Sequence, residues 1–238
     1  FRDFYSVGSC EHNQICYYCT LKNRTFYKDK KCPLCKINLD IVYIINIKSP
    51  NTYKELSQKD LQEYLVDDDT EETGIYYTDI SSLEASLDLK SYKCPIEYCV
   101  KEEPFDTLQK LKNHLYENHN KIYCKVCLKD GKKFIKELKI YDKDEISEHN
   151  FYGDINEDIP PHHKCPFCGD LYYDDEILYK HMSQSHFLCE ICKTLDKKII
   201  FYSALPNLIQ HNKLFHYCCP YKECTDVLLI SFPSQKLL

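Results

Sequence analysis

The chain has 238 residues, a formal net charge of −6 and a mean hydropathy of −0.51, with sixteen cysteines, ten histidines, five glycines and no tryptophan. No apolar run approaches the roughly 18 residues of a membrane span, and the net negative charge excludes a protein that coats nucleic acid indiscriminately. Cysteine pairs followed by histidine pairs have no use in a secreted disulfide framework, so a reduced, metal-binding chain of the cytosol or nucleus is expected.

Residues 1–40 carry the first module. Cys10, His12, Cys16, Cys19, Cys32 and Cys35 run as Cys-x-His-x3-Cys-x2-Cys-x12-Cys-x2-Cys. Zinc takes thiolate and imidazole in tetrahedral sets of four, and this spacing resembles the last six of the eight ligands of a RING-type zinc domain. In the interleaved cross-brace of a RING, Cys10, His12, Cys32 and Cys35 form a complete site. Cys16 and Cys19 belong to a second site and need two more ligands. Residues 1–9 hold no cysteine, so the chain is expected to begin just after the first ligand pair. A RING has no nucleophile of its own; it holds a ubiquitin-charged E2 conjugating enzyme in a reactive pose, a positioning effect. The resemblance places Pro33 at the E2 contact and Lys36 where a basic residue bridges E2 and ubiquitin.

Residues 41–93 read as a structured connector. Ile37 to Ile47 is rich in β-branched residues and predicts one or two strands, Ser57 to Val66 a short helix capped by Ser57, and Ile75-Tyr76-Tyr77 a strand. Thr78 is expected to cap a helix through Leu89, and the acidic run 67–72 is a solvated loop.

From residue 94 a unit recurs. Finger 1 (94–119) pairs Cys94 and Cys99 with His114 and His119. Finger 2 (124–163) pairs Cys124 and Cys127 with His149, and after a loop with Gly153 and Pro160-Pro161 either His162 or His163 closes it, with His162 preferred. Finger 3 (165–186) pairs Cys165 and Cys168 with His181 and His186, and finger 4 (189–216) pairs Cys189 and Cys192 with His211 and His216. Cys219 and Cys224 open a fifth unit (219–238) that never reaches a histidine, so the C-terminus is expected to fall inside a module. Each first histidine follows an apolar pair: Phe105 and Leu111, Ile140 and Ile146, Tyr172 and Leu178, Tyr202 and Leu208; Phe232 and Leu238 repeat the spacing. Units this small need metal in place of a core. Helix starts are expected at Asp106, Asp142, Asp174 and Ser203. The expected fold class is therefore a set of small zinc-stabilised α+β modules: a truncated RING, a short α/β connector and tandem ββα C2H2-like fingers.

Duplex reading by such fingers needs regular linkers. Here only Phe187-Leu188 separates His186 from Cys189, and Tyr217-Cys218 separates His216 from Cys219. From Cys94 onward 19 Lys and Arg face 22 Asp and Glu, although phosphate contacts dominate nucleic-acid affinity. Sequence-specific DNA is not the expected partner. One basic patch, Lys129, Lys132, Lys133, Lys136 and Lys139, is a candidate grip on RNA phosphate.

Taken in order, Gly8-Ser9-Cys10-Glu11-His12, Cys16-x2-Cys19, Cys32-Pro33-Leu34-Cys35, the close-coupled fingers, Gly153-Asp154 and His186-Phe187-Leu188-Cys189 resemble the RING–C2H2 ubiquitin ligases that sense collided ribosomes. The resemblance implies a cytoplasmic zinc protein that works with an E2 and the ribosome (40S proteins, with rRNA or tRNA) and tags small-subunit proteins with ubiquitin. That family's enlarged second finger with a distant last histidine makes His162 or His163 attractive as a ligand. The alternative is a zinc-finger RNA- or DNA-binding protein whose RING is non-catalytic.

Overall fold

A computed structural model describes residues 3–48, 51–157, 159–195, 197–221 and 231–233. They form two compact units, residues 1–146 and 147–238.

The first unit is organised by a four-stranded sheet in the order β2-β1-β3-β4, made of β1 (Phe4–Gly8), β2 (Ile15–Cys16), β3 (Val42–Asn46) and β4 (Ile75–Tyr77). β1 runs antiparallel to β2 and β3, while β3 and β4 are parallel. Val42-Tyr43-Ile44-Ile45 is buried on both faces, which is why it reads as a continuous apolar run. Val42 and Ile44 point to a core shared with Tyr17, Leu21, Ile75 and Tyr77. Tyr43 and Ile45 point the other way, onto Val7, Leu56 and Tyr64. The strands β3 and β4 are thus two of the four strands of the sheet begun by Phe4–Gly8.

Helix α1 (Tyr17–Phe26) packs on the first core, and its buried Tyr17, Thr20, Leu21 and Arg24 form the face toward the sheet. The crossover from β3 to β4 holds α2 (Tyr53–Leu56), a 3-10 turn at Leu61–Glu63 and α3 (Thr70–Thr73), and α4 (Ile80–Lys90) follows β4. Several boundaries differ from expectation. The strand after residue 37 starts only at Val42. Ser57 ends α2, whose N-cap is Thr52 in a capping box with Glu55. Asp79, not Thr78, caps α4 by accepting from the Ser82 N–H.

The rest of the first unit holds α5 (Leu108–His119), β5 (Lys121–Tyr123), α6 (Lys125–Asp130) and β6 (Ile140–Asp142), with β5 and β6 antiparallel. Thr107, one residue after the expected Asp106, caps α5. Asp142 ends β6, and α7 (Ile146–Tyr152) starts later.

In the second unit the same small plan recurs. β7 (His163–Lys164) pairs with β8 (Leu171–Tyr172) ahead of α8 (Asp175–Ser185). β9 (Phe187–Leu188) leads into α9 (Glu190–Leu195), then pairs with β10 (Phe201–Tyr202) ahead of α10 (Leu205–Phe215). β11 (Tyr217–Cys218) pairs with β12 (Ser231–Phe232). Asp174 caps α8 as expected, whereas Ala204 rather than Ser203 precedes α10 and gives no side-chain cap. Among the described residues no helix is long and apolar enough to cross a membrane.

Candidate metal centres

Cys10, His12, Cys32 and Cys35 come together with their ligand atoms all within 4.8 Å of one another. Cys10 and His12 follow β1 on a loop turned by Glu11, whose φ is +58°. The Glu11 carboxylate accepts the N–H groups of Tyr53 (3.1 Å) and Lys54 (3.3 Å), tying this ligand loop to the start of α2. Cys32 and Cys35 sit on a tight knuckle closed by the Lys36 N–H to the Cys32 carbonyl and the Cys32 N–H to the Ile37 carbonyl, both 2.8 Å. Arg24 supports the knuckle from α1. Its buried guanidinium donates to the carbonyls of Leu39 and Thr73, the latter at 2.5 Å. Burial brings its pKa down to about 10, so it remains charged.

Burial works to raise the Cys32 thiol, but the N–H groups of Cys35 and Leu34, with the Cys35 and Cys10 side chains, outweigh it and bring it to about 7. Burial pushes Cys10 up to about 11. Cys16 and Cys19, on β2 and α1, join no group of three or more ligands among the described residues, and Cys19 is exposed.

The finger ligands assemble likewise. Cys94, Cys99, His114 and His119 converge, as do Cys165, Cys168, His181 and His186, and Cys189, Cys192, His211 and His216. Zinc–sulfur bonds of about 2.3 Å and zinc–nitrogen bonds of about 2.0 Å in a tetrahedron leave ligand atoms about 3.3 to 3.8 Å apart. The observed separations run from just inside this range to a few tenths of an ångström short of it: 3.7 Å for Cys94 Sγ to His119 Nε2, 3.5 Å for Cys168 Sγ to His181 Nε2, 3.3 Å for Cys165 Sγ to His186 Nε2, 3.2 Å for Cys99 Sγ to His114 Nε2, and 3.1 Å for both Cys189 Sγ to His216 Nε2 and His211 Nε2 to His216 Nε2. Burial works to raise Cys165, but the N–H groups of Cys168 and Phe167 and the His181 and Cys168 side chains bring it down to about 6. Thiolates at backbone N–H groups and paired imidazoles are the donor set of a structural zinc site.

The expected apolar partners pack on these sites. Tyr172 stacks on His181 at 4.5 Å, with Phe105 4.8 Å from His114 and Tyr202 5.1 Å from His211. In the second finger Cys124 and Cys127 are buried at the start of α6. His149 and His162 are also buried, with rings 4.9 Å apart. Asp154 holds His149 Nδ1 at 2.7 Å, an orienting contact that residue spacing does not reveal. Gly153, at φ +70°, makes the turn; a Cβ there would meet the Ile159 carbonyl at 2.2 Å. His163 is drawn elsewhere, into β7, with Nδ1 2.6 Å from Asp175. Cys219 is half-buried and Cys224 and Leu238 lie outside the described residues.

Around the Cys32–Cys35 knuckle, Pro33, Leu34, Lys36 and Ile37 are all exposed. Lys36 has a φ of +63°, the position that Gly169 fills in the matching Cys165-Pro166-Phe167-Cys168 turn. The lysine patch does not form one free surface. Lys132 lies 4.7 Å over the Tyr27 ring, Lys136 pairs with Asp88, and Lys139 lies 5.4 Å over Tyr141. Lys129 is exposed and Lys133 half-buried.

Residues 2–82 match the family model described as the ZNF598 RING finger domain. The chain is 30% identical to the E3 ubiquitin-protein ligase hel2 of Schizosaccharomyces pombe, over 96% of this chain and 31% of that protein. It is 26% identical to the E3 ubiquitin-protein ligase HEL2 of Saccharomyces cerevisiae, over 98% of this chain and 35% of that protein. The E3 ubiquitin-protein ligase ZNF598 of Homo sapiens is 26% identical over 92% of this chain and 23% of its own length. The chain thus spans about a third or less of these relatives.

Proposed function

We propose, from the premise that the chain is a RING-domain-containing homologue of the Hel2 and ZNF598 ubiquitin ligases, that it acts as a RING-type E3 ligase in ribosome quality control. The observation that carries this reading is the Cys32–Cys35 knuckle. It belongs to a complete Cys/His group, and Pro33, Leu34, Lys36 and Ile37 stand exposed around it. Pro33 and its apolar neighbours would seat the E2, and Lys36 would bridge E2 and ubiquitin. Lys36 shares its positive φ with Lys28, Lys132 and Lys197, so what supports this role is its exposed place beside the knuckle. The chemistry is positional: the E2 thioester is held rigid for attack by an acceptor amine, with no covalent bond to this chain.

Zinc is the structural cofactor. In this reading Cys10, His12, Cys32 and Cys35 hold one ion of a cross-brace, with Cys16 and Cys19 in the second site. Four further ions sit in ββα fingers, on Cys94, Cys99, His114 and His119; on Cys124, Cys127, His149 and His162; on Cys165, Cys168, His181 and His186; and on Cys189, Cys192, His211 and His216. Cys219 and Cys224 begin the fifth unit. The fingers would read the cytoplasmic ribosome and direct ubiquitin to 40S proteins. Lys129 and Lys133 remain for rRNA or tRNA phosphate, with Lys132, Lys136 and Lys139 committed to contacts within the chain.

The test is ubiquitin transfer by the zinc-loaded intact protein with a panel of charged E2 enzymes and purified stalled ribosomes. Pro33→Ala and Lys36→Ala are each expected to lower transfer by about tenfold, close to 1.4 kcal/mol in the barrier, with ribosome co-sedimentation unchanged. Tight salt-dependent RNA or DNA binding with no ubiquitin product from any E2 would instead establish the non-catalytic alternative.

A further inference from the structure

Helix α1 has a second packed face. Tyr18, Lys22 and Phe26, spaced at i, i+4 and i+8, line the side away from Leu21 and Arg24. That side is met by residues 134–137 of the second finger, more than a hundred positions along the chain. Phe134 is buried at 4% exposure and belongs to the same core as Tyr17, Leu21 and Ile44. Its ring lies 4.9 Å from Phe26 and 6.2 Å from Tyr18. The Tyr18 hydroxyl donates to the Glu137 carboxylate, and Lys22 Nζ lies 3.5 Å from the same group. Glu137 also accepts the Phe134 N–H at 2.7 Å, so the turn that presents the ring is locked by the residue that grips α1. Lys136 pairs with Asp88 on α4, and Lys132 covers Tyr27 at the end of α1.

We infer that Phe134 and Glu137 are positioning residues for ubiquitin transfer: the second-finger loop clamps α1 and so fixes the RING relative to the first two fingers' cysteine-bearing segments. The clamp lands between Cys16 and Cys19, because Tyr18 is the residue it grasps. A finger insertion with no such role would project into solvent; this one buries an aromatic ring in the RING core. Without the clamp the RING still holds its E2, but the thioester is no longer carried at a set distance from whatever those segments hold. The transfer consequence rests on the ligase reading above, while the clamp itself does not.

The experiment compares the intact zinc-loaded protein with Phe134→Ala, Phe134→Leu and Glu137→Gln. Amide exchange across residues 17–26 is expected to speed up at least tenfold in Phe134→Ala, less in Glu137→Gln, and to return to within threefold in Phe134→Leu. Zinc content should not change. Discharge of the charged E2 onto free lysine should stay within twofold, while transfer to an acceptor bound by the fingers falls five- to tenfold. Unchanged exchange in both Phe134→Ala and Glu137→Gln overturns the clamp. Equal losses in discharge and directed transfer overturn the positioning role. Should Phe134→Ala lose zinc, Glu137→Gln decides both points. A wild-type protein with no discharge at all refutes the ligase reading, and the exchange measurement still decides the clamp.

Discussion

Lys36 occupies backbone space that a side chain enters at a cost of about 1 kcal/mol. Lys36→Gly is therefore expected to raise the unfolding free energy by about 0.5 to 1 kcal/mol, while directed ubiquitin transfer falls. A urea titration alongside the transfer assay checks the pair, and a Lys36→Gly protein that is both less stable and fully active would refute it. Arg24 shows the opposite balance. Replacing it with Met strands the carbonyls of Leu39 and Thr73 in the interior, at a cost of about 3 kcal/mol; a shift in urea midpoint below a third of that size would show the guanidinium to be dispensable. Sequence spacing made Cys10, His12, Cys32 and Cys35 readable because zinc imposes its ligand spacing on neighbours in the chain. Arg24 and Asp154 were not readable, since a charged residue that serves backbone carbonyls or one imidazole leaves no repeat.

In the first, third and fourth fingers the helix start keeps register with the first histidine. His114, His181 and His211 are each the seventh residue of their helix, counted from Leu108, Asp175 and Leu205. Where two cap residues adjoin, as in Asp106-Thr107 and Thr78-Asp79, geometry chooses the one whose oxygen reaches the third helical N–H. Composition alone does not separate them. At α10 the ligand register leaves the cap to Ala204, with Pro206 second in the helix. Ala204→Ser is expected to stabilise the fourth finger by about 1 kcal/mol, seen as slower amide exchange over 205–215; no change would mean the ligand register alone sets this end. The α4 end is held by charge. Burial would raise the Asp67 carboxyl, but Lys90 at 2.8 Å, Tyr77 and Thr70 outweigh it and hold it below the usual carboxylate range. A depressed carboxylate stabilises the fold above its unfolded value of about 3.9 and loses that contribution as the solution becomes more acid. Asp67→Asn should thus cost stability equally at pH 7 and pH 5, with the difference shrinking below about pH 4. A difference that grows on acidification would reverse the assignment.

Across the chain, stability comes from two sources. The sheet has two apolar cores, one on each face, whereas the fingers are built around their ligands. Chelation of zinc is expected to abolish slow exchange in α8 and α10 while the amides of Val42–Asn46 stay protected; simultaneous loss of both would mean that the sheet also depends on metal. The repeat was legible because residues 94–119, 165–186 and 189–216 each place two cysteines and two histidines within 22 to 28 residues. The union of residues 41–93 with the first strands, and the docking of Phe134 on α1, were not. Both join segments far apart in the chain, and no periodicity encodes such a meeting. The partners of the lysine run were hidden for the same reason: its spacing was plain, but Tyr27 and Asp88, which engage Lys132 and Lys136, come from elsewhere.

The joints between fingers are themselves strands. His186 ends α8, and the next two residues, Phe187 and Leu188, already pair with Phe201 and Tyr202 of the following hairpin, while Tyr179 of α8 touches Phe201 at 5.8 Å. One module's last ligand is therefore the anchor of its neighbour's first hydrogen bonds, and no slack exists to absorb the failure of either. Titrated with a competing chelator and followed by native mass spectrometry, fingers 3 and 4 should empty as a couple, with the singly vacated species scarce throughout. The array would then answer metal scarcity as a threshold rather than a gradual dimming.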